Sequence, residues 1–269
     1  MTAGESSPAF DAMRVSRFFL PFPAPVDALP ARILVTQEDV VHKLAHVLRL
    51  RAGDPLLAID GEREVAYEAT VDAIGRDQAT ISLWRPYARA VETPIALTLG
   101  AALIKGQRWD WLLQKATELG CRRLLPIESE RSIPHIGSPQ KKRERWEAVA
   151  RAAAEQSEGL FLPEIAPPMA LPVFCDAVRG ASLKIALEAR AVSCEGPADD
   201  LREPLRLLLR KHAHAKSAVL AVGPEGGWTA QELDSLRVSG FRFASLGERV
   251  LRSETAALTA LAALIYEFC

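Results

Sequence analysis

The sequence predicts an α/β protein with a mainly parallel sheet in its larger, C-terminal part and a small barrel or curled sheet in its N-terminal part. Three observations predict it. From Ile95 onward, apolar runs of strand length alternate with helical patterns, as in sheets whose parallel strands are joined by crossover helices. Near the C-terminus this becomes two successive units of strand, tight loop and helix, and loops at the carboxyl ends of strands are where open α/β sheets bind ligands. Before Tyr87, by contrast, three short β-like runs follow one another closely, which suits a barrel or curled sheet better than a parallel one.

Residues 1–13 are small and polar and are expected to be disordered. Structure begins near Arg14-Val-Ser-Arg-Phe-Phe-Leu. Glu38 and Asp39 suit a helix start, and Val40, Leu44, Val47 and Leu48 then share one helical face, with Arg49, Arg51 and Gly53-Asp54 closing the helix. The β-like runs are Pro55 to Asp60, Glu64 to Ile74 and Gln78 to Trp84, separated by Asp60-Gly61 and Gly75-Arg-Asp. The first domain therefore spans 14–86, and a polar link at 87–94 separates it from a second domain at 95–269.

Ile95 to Ile104 opens the second domain as a strand. The helix after it carries Trp109, Leu112, Leu113, Ala116 and Leu119 on one face and stops at Gly120. Leu124 to Glu128 is the next strand. A long helix begins at Ser138-Pro139, serine as cap and proline in the first turn, and carries Trp146, Val149, Ala150 and Ala153. Leu183 to Glu188 is a strand, Gly196 to Asp200 a loop, and Leu201 to Lys211 a helix with Pro204 in its first turn. Ser217 to Val222 is a buried strand that ends at Gly223-Pro224. In the loop, Gly223, Gly226 and Gly227 permit positive φ and close backbone approach, and Thr229 with Glu232 forms a capping box for the next helix. Phe241 to Leu246 is the last strand and Gly247 to Arg252 its loop, and Ser253 caps a terminal helix that is apolar around much of its circumference.

Composition excludes several classes. Hydrophobic content of 49% and charged content of 25% are those of a globular protein. No apolar run approaches the roughly 18 residues of a membrane span, and the N-terminus has no signal-peptide pattern, so a cytoplasmic protein is expected. Cys121, Cys175, Cys194 and Cys269 are scattered without metal-ligand spacing, which argues for reduced thiols and no metal site. Formal net charge is -1, but six Arg or Lys against three Asp or Glu between Arg14 and Arg51, and eleven against eight between Ala101 and Leu160, give local basic stretches. Solvated helix faces explain the same counts. The chain lacks G-x-x-x-x-G-K-[ST] and G-x-G-x-x-G, which removes the standard phosphate cradles and counts against a dinucleotide oxidoreductase.

Gly223-Pro-Glu-Gly-Gly followed by Leu246-Gly-Glu-Arg-Val-Leu-Arg-Ser-Glu-Thr-Ala resembles the paired signature of the small-subunit (16S) ribosomal RNA uridine N3-methyltransferase E family of the SPOUT superfamily. The pair is far more specific than either half, and further matching segments extend from Arg14 to the end of the chain. The resemblance implies a C-terminal domain with a deep trefoil knot, a PUA-like β-barrel before it, S-adenosylmethionine held by the knot's loops, and a homodimer. By composition nothing would suggest a knot, since knotted chains are rare. For the cofactor it implies Leu187, Glu188, Gly223, Pro224, Glu225, Gly226, Gly227, Leu246, Gly247, Val250, Leu251, Arg252 and Thr255. For RNA it implies Arg17, Arg49 and Arg51 in the first domain and Lys105, Arg108 and Lys115, beside Glu118, in the second. His42 fits the same segment or simply packs. Where Ala154-Glu-Gln-Ser usually continues with Gly-Arg, this chain has Glu158-Gly159, so one family arginine is missing.

The reaction so implied transfers a methyl group from a sulfonium to N3 of uracil, an in-line displacement that rests on positioning and charge stabilisation. N3 carries a proton at neutral pH, so a cation must stabilise the anion formed and a base must take the proton. Arg252 is the candidate cation and Glu225 and Glu254 the candidate proton acceptors or orienting groups. A structural ion pair between Arg252 and Glu254 is the competing reading. Another SPOUT methyltransferase with a different target nucleotide, or a non-enzymatic RNA-binding protein, are the alternatives at the level of function.

Overall fold

In the computed structural model, residues 15–87, 92–132, 139–189 and 202–268 are described. The expected disordered tail at 1–13, residues 88–91 of the interdomain link, Ser138 and the loop at 196–200 lie outside them. The chain divides into two units, one of Met1–Glu92 with Ala154–Leu162 and one of Thr93–Ala153 with Pro163–Cys269. The first thus takes in a stretch of chain from well beyond the expected 14–86 domain.

The first unit is a five-stranded sheet in the order β1-β3-β4-β5-β2, with β1 Ser16–Phe19, β2 Ala31–Val35, β3 Pro55–Asp60, β4 Val65–Ile74 and β5 Ala79–Pro86. β1 runs parallel to β3 and the other pairs are antiparallel. The run of β3 is apolar without alternation because both its faces are covered. Leu56 and Ala58 join Phe18, Leu44, Ile81 and Leu83, while Leu57 and Ile59 join Phe19, Tyr87 and Ala154. Two register shifts between β4 and β5 mark bulges, which bend and twist a sheet.

α1, Glu38–His42, corrects the expected helix face. It continues as a π-helical turn at Lys43–Val47, with the Leu48 amide bonded to the Lys43 carbonyl at 3.0 Å. The wider turn shifts the buried face to Val41 and Leu44 and leaves Val47 64% exposed.

The second unit is built on a sheet in the order β11-β13-β10-β12-β6-β7-β8, every pairing parallel. Its main strands are β6 Ala96–Ala102, β7 Cys121–Glu128, β10 Leu183–Leu187, β12 Ser217–Val222 and β13 Arg242–Ser245. β8 Glu164–Ile165, β9 Met169–Ala170 and β11 Glu203–Pro204 are two-residue edge pieces, β9 pairing with β7. The helices are α2 Gln107–Glu118, α3 Pro139–Gln156, α4 Leu171–Ala177, α5 Leu205–Lys211, α6 Ala230–Val238 and α7 Ser253–Phe268.

Both faces of this sheet are covered, so its strands too are continuous apolar runs. Ala218, Leu220 and Val222 of β12 face a core with Trp109, Leu112, Leu208, Ala257 and Leu261 from α2, α5 and α7. Val219 and Ala221 face the opposite core, with Phe174 of α4 and Leu236 of α6. Gly100 in β6 admits Phe174, because a Cβ there would stand 2.2 Å from the ring.

Two helix starts differ from expectation. Pro204 pairs in β11 with β13 and α5 begins only at Leu205, since proline's fixed φ suits the extended entry as well as a first turn. Ser253 is the first residue of α7 rather than its cap: the Ala256 amide bonds to the Arg252 carbonyl at 2.8 Å, which gives Arg252 the capping position.

Candidate active site

β10 lies between β12 and β13, so the chain passes over it on α6 when it steps from one to the other. The carboxyl ends of these three strands, with the loops that leave them, enclose a cavity of about 270 Å³. It is lined by Leu187 and Glu188 after β10, by Gly223, Pro224, Glu225, Gly226 and Gly227 after β12, and by Leu246, Gly247, Val250 and Leu251 after β13. Eleven of the thirteen residues singled out for the cofactor therefore share one concave surface. Arg252 and Thr255 are outside it, both exposed.

Each loop is held in place from a different direction. The Ser253 hydroxyl donates to the Gly223 carbonyl at 2.8 Å, joining the start of α7 to the loop after β12. Glu232, only 6% exposed, accepts from the Thr229 amide at 2.8 Å within the capping box and from the Glu130 amide at 3.0 Å, so one carboxylate fastens α6 to the segment after β7. Arg131 donates to the Gly226 carbonyl at 2.9 Å and to that of Trp228 at 3.4 Å.

The glycines serve closeness more than dihedral freedom. Of the three in the first loop only Gly227 has positive φ, +72°. A Cβ on Gly223 would stand 3.0 Å from the Trp228 indole, and one on Gly226 would stand 3.3 Å from Arg131. Gly247, at φ +111°, is the position in the second loop where a left-handed backbone favours glycine.

Sequence reasoning missed Arg131, Trp228, Arg249, Ser253 and Ala256 in the lining. Ser253 and Ala256 were legible in principle, as one face of the first turn of the terminal helix. Trp228 had only its place beside the glycines as a signal. Arg131 had none, since it arrives from a segment far off in sequence.

The catalytic candidates separate. Glu225 lines the cavity and forms an ion pair with Arg108, from the first turn of α2, and the same guanidinium lies 3.9 Å from Oε1 of Glu254. The hydrogen bond to Glu225 and the two carboxylate charges raise the Arg108 pKa, which leaves it a permanent cation. Glu254 is 6% exposed, and its Oε2 has no hydrogen-bond partner among the described residues. Arg252 forms no ion pair among them. In place of the competing Arg252–Glu254 ion pair, Arg108 lies between two glutamates, because α2 packs against α7 and brings Arg108 onto its first turn.

The basic residues singled out for RNA also divide. Arg17 is 12% exposed at its side chain, paired with Glu158 at 3.0 Å and 5.5 Å from the centre of the Tyr87 ring, so it has a structural partner where a phosphate contact was expected. Arg49 and Arg51 are exposed, Arg49 at φ +55°. His42 is exposed too, its ring 4.9 Å from that of His46. Lys105 is exposed, and Lys115 pairs with Glu118 at 2.7 Å. In place of the missing family arginine, Glu158 takes φ +67° and Gly159 bonds through its amide to the Ala154 carbonyl at 2.9 Å.

Among the described residues no group of His, Cys, Asp and Glu could hold a metal ion, and no helix is long and apolar enough to cross a membrane. The fit to S-adenosylmethionine is chemical as well as spatial. Glycine backbone is open to the cavity, Glu188 and Glu225 suit cationic groups, and Arg131 and Arg249 suit a carboxylate. Among the described residues the Trp228 indole N–H is buried without an acceptor, packed beneath the Gly223 backbone.

A family model described as an RNA methyltransferase domain matches residues 91–265. A ribosomal RNA small subunit methyltransferase E from Synechocystis is 34% identical over 240 residues, 89% of this chain and 74% of that one. The chain belongs to the ribosomal RNA small subunit methyltransferase E family. The Bacillus subtilis member of this family is 28% identical over 87% of this chain and 89% of its own. Among solved structures, methyltransferase E from Neisseria gonorrhoeae bound to S-adenosyl methionine superposes with a TM-score of 0.78 at 28% identity, covering 93% of this chain and 97% of that one. A methyltransferase from Legionella pneumophila in complex with the same cofactor gives 0.76 at 26% identity, covering 94% and 97%.

Proposed function

We propose that this methyltransferase E family member transfers the methyl group of S-adenosylmethionine to N3 of a uridine in 16S ribosomal RNA of the small subunit. The observation that carries the reading is the cavity at the carboxyl ends of β10, β12 and β13, whose two glycine loops are joined through Ser253 and Gly223. Solved structures of similar chains, one of them a methyltransferase E, hold the same cofactor. In this chain, backbone groups of Gly223, Gly226, Leu246, Gly247, Val250 and Leu251 are proposed to hold it, with Leu187 and Glu188 at the side. Bound there, it supplies an electrophilic methyl group. The protein's own work is to keep that group and the uracil in line in a place closed to water.

The finer features of the resemblance belong to the same proposal. The passage from β12 over β10 to β13, followed by the return of α7 to the opposite face, supports a trefoil knot in the second unit. The bulged five-stranded sheet supports a PUA-like barrel in the first, with Arg49 and Arg51 as phosphate contacts there and Lys105 in the second unit. A homodimer and a cytoplasmic location follow from the same reading. Uracil N3 is used in base pairing, so the target must be unpaired or turned out of its helix.

The test is incubation of the purified protein with isotopically labelled cofactor and small subunits from cells lacking the enzyme, then digestion and mass spectrometry of the nucleosides. Label in N3-methyluridine is expected; label in another nucleoside would sink the uridine assignment.

A further inference from the structure

We infer that Glu254 takes the N3 proton of the uridine, that Arg108 stabilises the anion so formed, and that Glu225 is the positioning residue that keeps Arg108 in place. This deepens the proposed reaction and rests on it. Four observations carry it. A buried carboxylate oxygen without a hydrogen bond is costly, and Oε2 of Glu254 is one, in a residue 6% exposed. Its other oxygen lies 3.9 Å from the Arg108 guanidinium, and Glu254 is the second residue of a 16-residue helix, whose N-terminus favours negative charge. Glu225 in turn lines the cavity while pairing with Arg108, which sets the cation at the cavity's edge.

Among the described residues, Arg108 is the cation within 4.0 Å of Glu254, and Glu225 is the other carboxylate on that cation. Arg252, exposed and unpaired among the described residues, has neither property. The step balances. The N3 proton passes to Oε2 of Glu254, and the electron pair left on N3 forms the bond to the methyl carbon. The carbon–sulfur pair returns to sulfur, which changes from cationic sulfonium to neutral thioether, and Glu254 releases its proton to water.

The experiment compares wild type with Glu254→Gln, Arg108→Ala, Arg108→Lys and Glu225→Gln. Single-turnover methylation of small subunits is followed against pH, together with calorimetric affinity for S-adenosylmethionine and filter binding of the subunits. Glu254→Gln is expected to slow the chemical step about 100-fold at neutral pH, with both affinities within about threefold. Its residual rate should rise about tenfold per pH unit, since the fraction of uridine already ionised then sets the rate, whereas wild type stays flat. Arg108→Ala should slow the same step, Arg108→Lys should regain part of it, and Glu225→Gln should fall between. A Glu254→Gln rate within threefold of wild type, a wild-type pH profile, or a loss of cofactor affinity equal to the loss of rate would each overturn the assignment. If Glu254→Gln does not fold, Arg108→Ala decides: full rate there is equally fatal. Wild-type protein that leaves no label in N3-methyluridine instead removes the underlying reading, which separates the two failures.

Discussion

Ser253→Ala removes the hydrogen bond that joins the two cavity loops. The hydroxyl donates to the Gly223 carbonyl at 2.8 Å, and both residues line the cavity. A neutral hydrogen bond of this kind contributes about 0.5–1.5 kcal/mol net. Gly223 is half-buried, so water can reach its carbonyl in the variant, which keeps the loss near 1 kcal/mol rather than the full cost of an orphaned group. For a chain of this length that lowers Tm by about 2–4 °C. The same 1 kcal/mol bears on the cofactor, because loops no longer joined must be ordered by the ligand itself, and it corresponds to about fivefold in Kd. Calorimetry with S-adenosylmethionine reads the affinity, and thermal unfolding with and without it reads the linkage. Ser253→Thr, which keeps the hydroxyl, should restore both. An alanine variant that binds within twofold of wild type would refute the reasoning, since the loops would then be independent.

Gly100→Ala places a Cβ 2.2 Å from the fully buried Phe174 ring, and overpacking of this kind costs about 1–3 kcal/mol or more, readable as a lower denaturant midpoint with cofactor contacts untouched. Gly247→Ala meets no atom within 4 Å but must adopt φ +111°, so about 1–3 kcal/mol of backbone strain should appear as weaker cofactor binding. Glu232→Ala frees two backbone amides and the cap of α6 and should destabilise by about 1–2 kcal/mol in chemical denaturation. Burial pushes the Cys121 thiol up to about 12 from an ordinary value of 9.0. The contribution of the protonated thiol is complete below the unfolded value and is lost as pH rises from about 9 toward 12, because the unfolded chain ionises first. Cys121→Ala should therefore flatten the alkaline fall in stability, and native protein should resist alkylation there until it unfolds.

The sequence was most legible where local chemistry decides structure. The capping box at Thr229 and Glu232, the stop at Gly120 and the run Ser217 to Val222 all formed as read, because each depends on neighbours in sequence. Misreadings arose where a distant partner intervenes. Val47 lost its core place to a π-helical turn, and Ser253 turned from capping its own helix to the Gly223 carbonyl 30 residues away. Arg17, read from the sequence as a phosphate contact, is also held by Glu158 and Tyr87, partners that its local sequence does not reveal. The cavity itself was readable as two loops, whereas the ion-pair cluster beside it was not. Nothing in the spacing of Arg108, Glu225 and Glu254 reveals that α2 and α7 pack together. Arg252 and Glu254, two residues apart, were the natural pair to propose, yet side chains two apart on a helix do not face each other.

A methyl group on N3 blocks the Watson–Crick edge of uracil, so it halts reverse transcriptase one nucleotide before the modified base. Small-subunit RNA from cells lacking the enzyme should be compared by primer extension before and after this chain is expressed in them. A single new stop next to one uridine, abolished by Ser253→Ala combined with Gly247→Ala, is the expected result. Full expression without any new stop, or a stop next to a different base, would contradict uridine N3 methylation by this protein.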